Sequence, residues 1–207
     1  MEDDLLPGPE DERPGREVIV MLAVFFEAGL APLSLVLGWL FVHPPLEHFA
    51  WKFEDAVIGI GATVPLVLMF LAMLRWPVGP LARVKKFCDH EVVPLLNDCS
   101  WSEIALVSFS AGVGEEMLFR GVIQPSLASS LGPPWGLVLA SLLFGLFHPI
   151  SVTYMIIASI LGLYLGSVLI VGGNLLTVMV VHALYDFAAL GYLLRIRPAL
   201  ESEEHSS

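Results

Sequence analysis

The run IALVSFSAGVGEEMLFRGVI, residues 104–123, combines an apolar stretch of membrane-spanning length with three ionisable side chains, Glu115, Glu116 and Arg120. The hydrocarbon core of a bilayer is about 30 Å thick, and a helix needs about 20 apolar residues to cross it. A charge at that depth costs roughly 2.5–3.5 kcal/mol on insertion scales, so such residues usually face a bundle interior and carry function. The run therefore predicts a membrane helix with a functional polar face.

The composition of the whole chain agrees with this interpretation. Of the 207 residues, 56% are hydrophobic and 15% are charged, and the mean hydropathy is +0.77. A soluble domain is nearer 45–50% apolar and about 25% charged. The sequence thus predicts an all-α, polytopic transmembrane helix bundle with a polar intramembrane cavity.

Apolar runs of suitable length indicate about six spans. They cover residues 18–42, 56–74, 104–123, 135–147, 154–171 and 175–194. The fourth run is short, which favours a buried or broken helix, since irregular backbone at membrane depth is tolerated inside protein. Because a proline disfavours helical geometry in the residue before it, Pro149 predicts that His148 lies at a helix end.

The predicted spans divide the chain into four regions. Residues 1–17 hold seven of the acids behind the net charge of −11 and are expected to form a disordered, solvated tail, like the polar residues 195–207. Residues 18–103 are predicted to contain the first membrane helices and a cytosolic loop. Residues 104–194 are predicted to form the remaining membrane helices.

Basic residues predict the orientation. If the N-terminus is cytosolic, six spans place eight of the ten basic residues in cytosolic segments. The exceptions are Lys52 and Arg120. The positive-inside rule therefore favours a multi-pass membrane protein with both termini in the cytosol.

The first cluster of ionisable residues contains two carboxylates with different expected partners. Glu116 and Arg120 are four residues apart and share a helix face, so they are predicted to form an ion pair. Glu115 points about 100° away and is predicted to face the cavity. Burial can bring such a carboxylate into the range useful for general-base catalysis.

Two further motifs contribute histidines. Residues 144–148 read FGLFH and residues 182–186 read HALYD, which places His148 and His182 in membrane segments. A rise of about 1.5 Å per residue brings both histidines and Glu115 into the central part of the bilayer. Asp186 shares a face with His182 and can hold it in one orientation.

These ionisable side chains could activate a water molecule in two ways. Glu115 and His148 can hold a water directly, or Glu115, His148 and His182 can bind zinc and leave one position open for water. No cofactor is favoured, and zinc remains the alternative. The spacing alone does not separate these possibilities.

The three motifs, in order and in late transmembrane helices, resemble those of the CPBP family. This family contains CAAX prenyl proteases of the Rce1 type and bacteriocin-processing enzymes, also called Abi proteins. The resemblance spans roughly residues 104–190 and implies an intramembrane endopeptidase. Its substrate would be a membrane-associated peptide or protein, and lipid modification of that substrate is left open.

The resemblance also implies roles for individual residues. Glu115 and His148 would activate the attacking water. His182 and Asp186 would stabilise the oxyanion or orient the site. Glu116 with Arg120 would support it. CAAX members tend to have asparagine at the position of Asp186, so orienting His182 is the preferred role for this aspartate.

Other functions stay open at this point. The same Glu and His residues can relay protons or bind a cation in a transporter, and a non-catalytic membrane scaffold or immunity protein is a third possibility. Glu27, in the first span, is either a proton-path group or a protonated packing residue. Membrane lipids are expected partners, and no nucleic acid is expected.

Overall fold

The computed structural model describes residues 15–198. The described chain is helical, and its α-helices are α1 (Arg16–Phe41), α2 (Phe53–Arg75), α3 (Pro80–Phe87), α4 (Val93–Leu96), α5 (Trp101–Leu118), α6 (Gln124–Leu131), α7 (Pro133–Leu146), α8 (Val152–Gly172) and α9 (Leu175–Gly191). Three π-helical turns, at Cys88–Val92, Phe119–Ile123 and Tyr192–Ile196, join or extend them. The polytopic all-α bundle predicted from the sequence is confirmed.

Four helical segments are long and apolar enough to cross a membrane, and they begin with α1, α2, α8 and α9. Two more helices occupy the remaining predicted spans. Helix α5 has only 18 residues and carries three acids, and α7 has 14 residues, as its short apolar run predicted. The chain is therefore an integral membrane protein. Helix α5, because of its acids, and helix α7, because of its short length, depend on neighbouring helices to separate them from the lipid.

The helices begin and end at residues whose chemistry explains the boundary. Ser100 and Glu103 form a reciprocal capping box at the start of α5. The side chain of Asn174 accepts a hydrogen bond from the Leu176 backbone N–H at the start of α9. Gly132, between α6 and α7, has a φ of 90°, which favours glycine at this turn. These boundaries orient α5 and α9, which carry two of the three motifs.

Each π-helical turn ends two residues before a proline, namely Pro94, Pro125 or Pro198. A proline lacks the N–H that closes a regular helical hydrogen bond, and its ring crowds the carbonyl four residues earlier. A widened turn relieves this crowding. The middle turn overlaps the end of the first motif and contains Arg120, in keeping with the frequent location of π-turns at functional sites.

Helix α5 lies at the centre of the bundle, between α1 and α9. A Cβ on Gly112 would overlap Ala183 of α9, and a Cβ on Gly114 would overlap the backbone carbonyl of Glu27 in α1. Small residues of this kind let membrane helices approach closely. The close approach holds the residues after Gly114 near both neighbouring helices.

The structure refines two regional boundaries. Helix α1 already begins at Arg16, inside the predicted N-terminal tail, and the π-turn after α9 continues to Ile196, inside the predicted C-terminal tail. The rest of both tails, residues 1–14 and 199–207, lies outside the described residues. The predicted loop before α5 contains the amphipathic helix α3 and the short helix α4.

Candidate active site

Glu116 and Arg120 form a buried ion pair. Arg120 Nη1 donates to Glu116 Oε1 at 3.0 Å, and the exposed fractions of the two residues are 2% and 0%. Arg120 Nη2 also donates to the Gly162 carbonyl of α8 at 3.1 Å, and its guanidinium carbon lies 4.4 Å from the centre of the Phe144 ring. The pair thus ties the end of α5 to α7 and α8.

The imidazole of His182 lies between two carboxylates. Its Nδ1 is 2.7 Å from Glu116 Oε1, and its Nε2 is 3.4 Å from Asp186 Oδ2. A carboxylate oxygen accepts, so Nδ1 carries a hydrogen and donates it to Glu116. Sequence reasoning expected Asp186 to orient His182 and did not find the shorter contact with Glu116, which comes from another helix.

Glu115 faces His148 across a short gap. Glu115 Oε2 lies 3.9 Å from His148 Nε2, too far for a direct hydrogen bond and close enough for one water to contact both atoms. His148 Nδ1 lies 2.7 Å from the Phe144 carbonyl oxygen. Because a carbonyl only accepts, Nδ1 is the protonated nitrogen, and Nε2 of the neutral ring presents its lone pair towards Glu115.

The residues of all three motifs meet at one cavity of about 330 Å³. Glu115, His148, His182 and Asp186 line it, whereas Glu116 and Arg120 do not. Much of the remaining wall is apolar and comes from α2, α3, α8 and α9. The cavity therefore combines a small polar end with an apolar region that can accommodate aliphatic or aromatic groups.

Glu27 of α1 is a further acid in this wall. Glu115 lines the same cavity, and a Cβ on the preceding Gly114 would overlap the Glu27 backbone carbonyl, so the two acids are neighbours on facing helices. The sequence singled out Glu27 as an ionisable residue in a span but did not assign it a neighbour. The proximity of α1 to α5 supplies that neighbour.

The donor set does not suit a metal ion held by Glu115, His148 and His182. Both ring nitrogens of His182 face carboxylates, so His182 would have to leave Glu116 or Asp186 to become a ligand. Among residues 15–198, no group of three or more His, Cys, Asp or Glu side chains has an arrangement that could hold a metal. A zinc site would require these side chains to be rearranged.

Comparison with known families identifies one matching family model. Residues 97–188 match a model described as type II CAAX prenyl endopeptidase Rce1-like. No curated protein and no solved structure matches the chain significantly. The matched segment starts just before α5 and ends in α9, so it contains all three motifs.

The match supports an intramembrane endopeptidase, a hydrolase whose substrate is a membrane-associated peptide or protein. Helix α1, with Glu27, and helix α2 lie outside the matched residues. The resemblance predicted from the motifs is confirmed: residues 97–188 of this membrane protein are similar to the Rce1-like type II CAAX prenyl endopeptidase family.

Proposed function

We propose that the protein hydrolyses a peptide bond of a membrane-associated substrate with a water activated by Glu115 and His148. The observation that carries this proposal is the 3.9 Å separation of Glu115 Oε2 and His148 Nε2 at the cavity wall. One water can contact both atoms, which is the geometry required of a general base.

In the proposed reaction the water oxygen attacks the carbonyl carbon while one of its protons passes to Glu115. The resulting oxyanion lies beside His182, whose imidazole is held between Glu116 and Asp186. The carbon–nitrogen bond then breaks as the proton on Glu115 passes to the leaving nitrogen. The products are a carboxylic acid and an amine, so atoms and charges balance.

The function is tested by cleavage of a peptide library with protein purified in detergent. Glu115→Gln, which keeps the size of the side chain but removes the base, is expected to lower turnover about 10²–10⁴-fold. Glu54→Gln is a matched control because Glu54 is exposed in the first turn of α2. Absence of cleavage by the unchanged protein, or full turnover by Glu115→Gln, would contradict the proposal.

The proposed reaction needs no metal. We therefore expect turnover to survive thorough chelation, with less than one zinc per chain in purified protein. The engagement of both His182 nitrogens by carboxylates supports this expectation. One zinc per chain, lost together with activity and restored with it, would instead make Glu115 a ligand.

A further inference from the structure

Helix α3 has two faces with different surroundings. Val84 and the adjoining Cys88, four residues apart on one face, are buried and line the cavity. Arg83 and Lys86, three residues apart on a nearly opposite face, are exposed. The helix therefore has an apolar side that forms cavity wall and a basic side that faces away from the protein.

The basic side has no counter-charge within the described protein. Arg75, the last residue of α2, is a further exposed cation five positions before the start of α3. Among residues 15–198, no acid forms an ion pair with Arg75, Arg83 or Lys86. Lys85, on the flank of the same helix, is paired with Asp89. The three exposed cations are thus available to an anionic group that is not part of this bundle.

The connection to α2 places α3 at the level of the lipid headgroups. Helix α2 has 23 residues and is apolar enough to span a membrane. At about 1.5 Å per residue it is about 35 Å long, so it crosses the hydrocarbon core and ends near the headgroups at Arg75. The four residues 76–79 that follow can extend at most about 14 Å. Helix α3 also packs against α2 and α8, which keeps it at this membrane surface.

The same connection carries exposed apolar side chains. Trp76 is 63% exposed and Val78 is 70% exposed. Water is an unfavourable environment for large apolar side chains, whereas the membrane interface accommodates them and is enriched in tryptophan. Anionic lipids attract basic residues next to a membrane surface. A lipid surface therefore suits both the apolar and the basic residues here, which an acidic protein in water would not.

We propose that Arg75, Arg83 and Lys86 bind the headgroups of anionic phospholipids. Because the other side of α3 forms part of the cavity wall, this binding holds the wall in place and makes the cavity sensitive to lipid composition. Lipid binding at this face is independent of the chemistry at Glu115.

The first test measures lipid affinity by native mass spectrometry of protein purified in detergent. Phosphatidylglycerol is expected to bind about tenfold or more tightly than phosphatidylcholine, since each basic residue near an anionic surface contributes about fivefold. Lys86→Gln is expected to weaken phosphatidylglycerol binding about fivefold. Lys52→Gln, at the opposite end of α2 and also exposed, is the matched control and should leave it unchanged. Equal affinities for the two lipids, or equal losses in the two variants, would overturn the proposal.

Two multiple variants separate charge from folding in the same assay. Replacing Arg75, Arg83 and Lys86 together by glutamine is expected to abolish the preference for phosphatidylglycerol. Replacing both arginines by lysine keeps the charges and is expected to keep the preference, because a headgroup phosphate attracts either cation. A preference that survives in the triple variant, or disappears in the lysine variant, would contradict binding through these charges.

The second test measures the effect of lipid on α3 by hydrogen exchange in nanodiscs. Backbone amides of α3 are expected to exchange about threefold or more slowly in phosphatidylglycerol than in phosphatidylcholine, because a held helix opens less often. Residues 43–52, at the opposite membrane surface, should exchange equally in both lipids. Equal exchange of α3 in both lipids would overturn the proposed effect on the cavity wall. The measurement needs no substrate, so failure of the proposed hydrolysis would leave its result unaffected.

Discussion

Glu115 and Glu116 are neighbours in sequence but have different partners. Glu115 lines the cavity and faces His148, whereas Glu116 is fully buried and contacts both Arg120 and His182. Adjacent residues of an α-helix point about 100° apart, which is sufficient to put one in the cavity and the other in the protein interior. The two acids are therefore expected to respond differently to the same substitution.

Glu116→Gln is expected to destabilise the protein, because it leaves the buried charge of Arg120 without its counter-charge and weakens the acceptor of His182. Breaking a buried ion pair costs about 3–5 kcal/mol. Thermal unfolding in detergent measures the effect, with Glu54→Gln as the exposed control. Glu115→Gln should leave the unfolding temperature nearly unchanged. The reverse order of stabilities would show that the roles of the two acids are exchanged.

Helix α3 and the π-turn after it cover one side of the cavity. Val84 and Cys88 are buried there and line its wall. Asp89 connects this segment to the end of the chain: Lys85 Nζ donates to its Oδ2 and Arg197 Nη1 to its Oδ1, each at 2.6 Å. Burial acts to raise the pKa of Asp89, but the hydrogen bonds from Lys85 and Arg197 outweigh it and lower that pKa below its usual value.

A carboxyl with a lowered pKa in the folded state stabilises the fold above its unfolded pKa, about 3.9 for aspartate. This contribution is lost as the pH falls through the folded value. Asp89→Asn is therefore expected to lower stability by about 1 kcal/mol at neutral pH, because the pairs are partly solvent-exposed. The difference should vanish in acid, below the folded pKa of Asp89. Thermal unfolding across pH measures this, with exposed Glu91→Gln as control. A difference that persists in acid would contradict the assignment.

Both ends of the described chain lie at the same end of the bundle. Arg16, at the start of α1, donates to the Asp98 carbonyl at 3.3 Å, and Arg195, after α9, donates to the carbonyls of Asn97 and Cys99. The segment before α5 thus contacts both the first and the last membrane helix. Most basic residues of the chain lie in the segments at this end of the bundle. By the positive-inside rule, we therefore expect this end of the bundle to face the cytosol.

Single cysteines can test this orientation, since the native Cys88 and Cys99 are buried. Trp51, between α1 and α2, is 84% exposed, and Glu91 is exposed in the π-turn after α3. A membrane-impermeant thiol reagent added to intact cells is expected to label Trp51→Cys directly and Glu91→Cys only after permeabilisation. The protein without either substitution reports background labelling. The opposite pattern would place both termini outside.

Local sequence features were sufficient to predict the helices in the six apolar runs, but not the shorter helices α3, α4 and α6. Apolar runs located the six helices to within a few residues, the short fourth run predicted the short α7, and Pro149 predicted that His148 lies at a helix end, which is two residues after the last residue of α7. The spacing of Glu116 and Arg120 also predicted their ion pair, because residues four apart on a helix are neighbours. The sequence also contains the three prolines that follow the π-turns. However, Pro32 and Pro65 lie inside regular helices, so a proline alone does not predict a π-turn.

The contacts between helices required the tertiary structure. Glu116 meets His182, Arg120 meets the Gly162 carbonyl, and Gly114 packs against the Glu27 carbonyl, over separations that no helical period relates. Hydropathy and periodicity report which face of a helix is apolar, but not which neighbour that face meets or at what rotation. Here the sequence by itself determined the membrane-spanning helices and the ionisable side chains of the candidate site. Close packing of α5 between α1 and α9 decided which of those side chains meet, because a hydrogen bond between two helices depends on their spacing to within about an ångström.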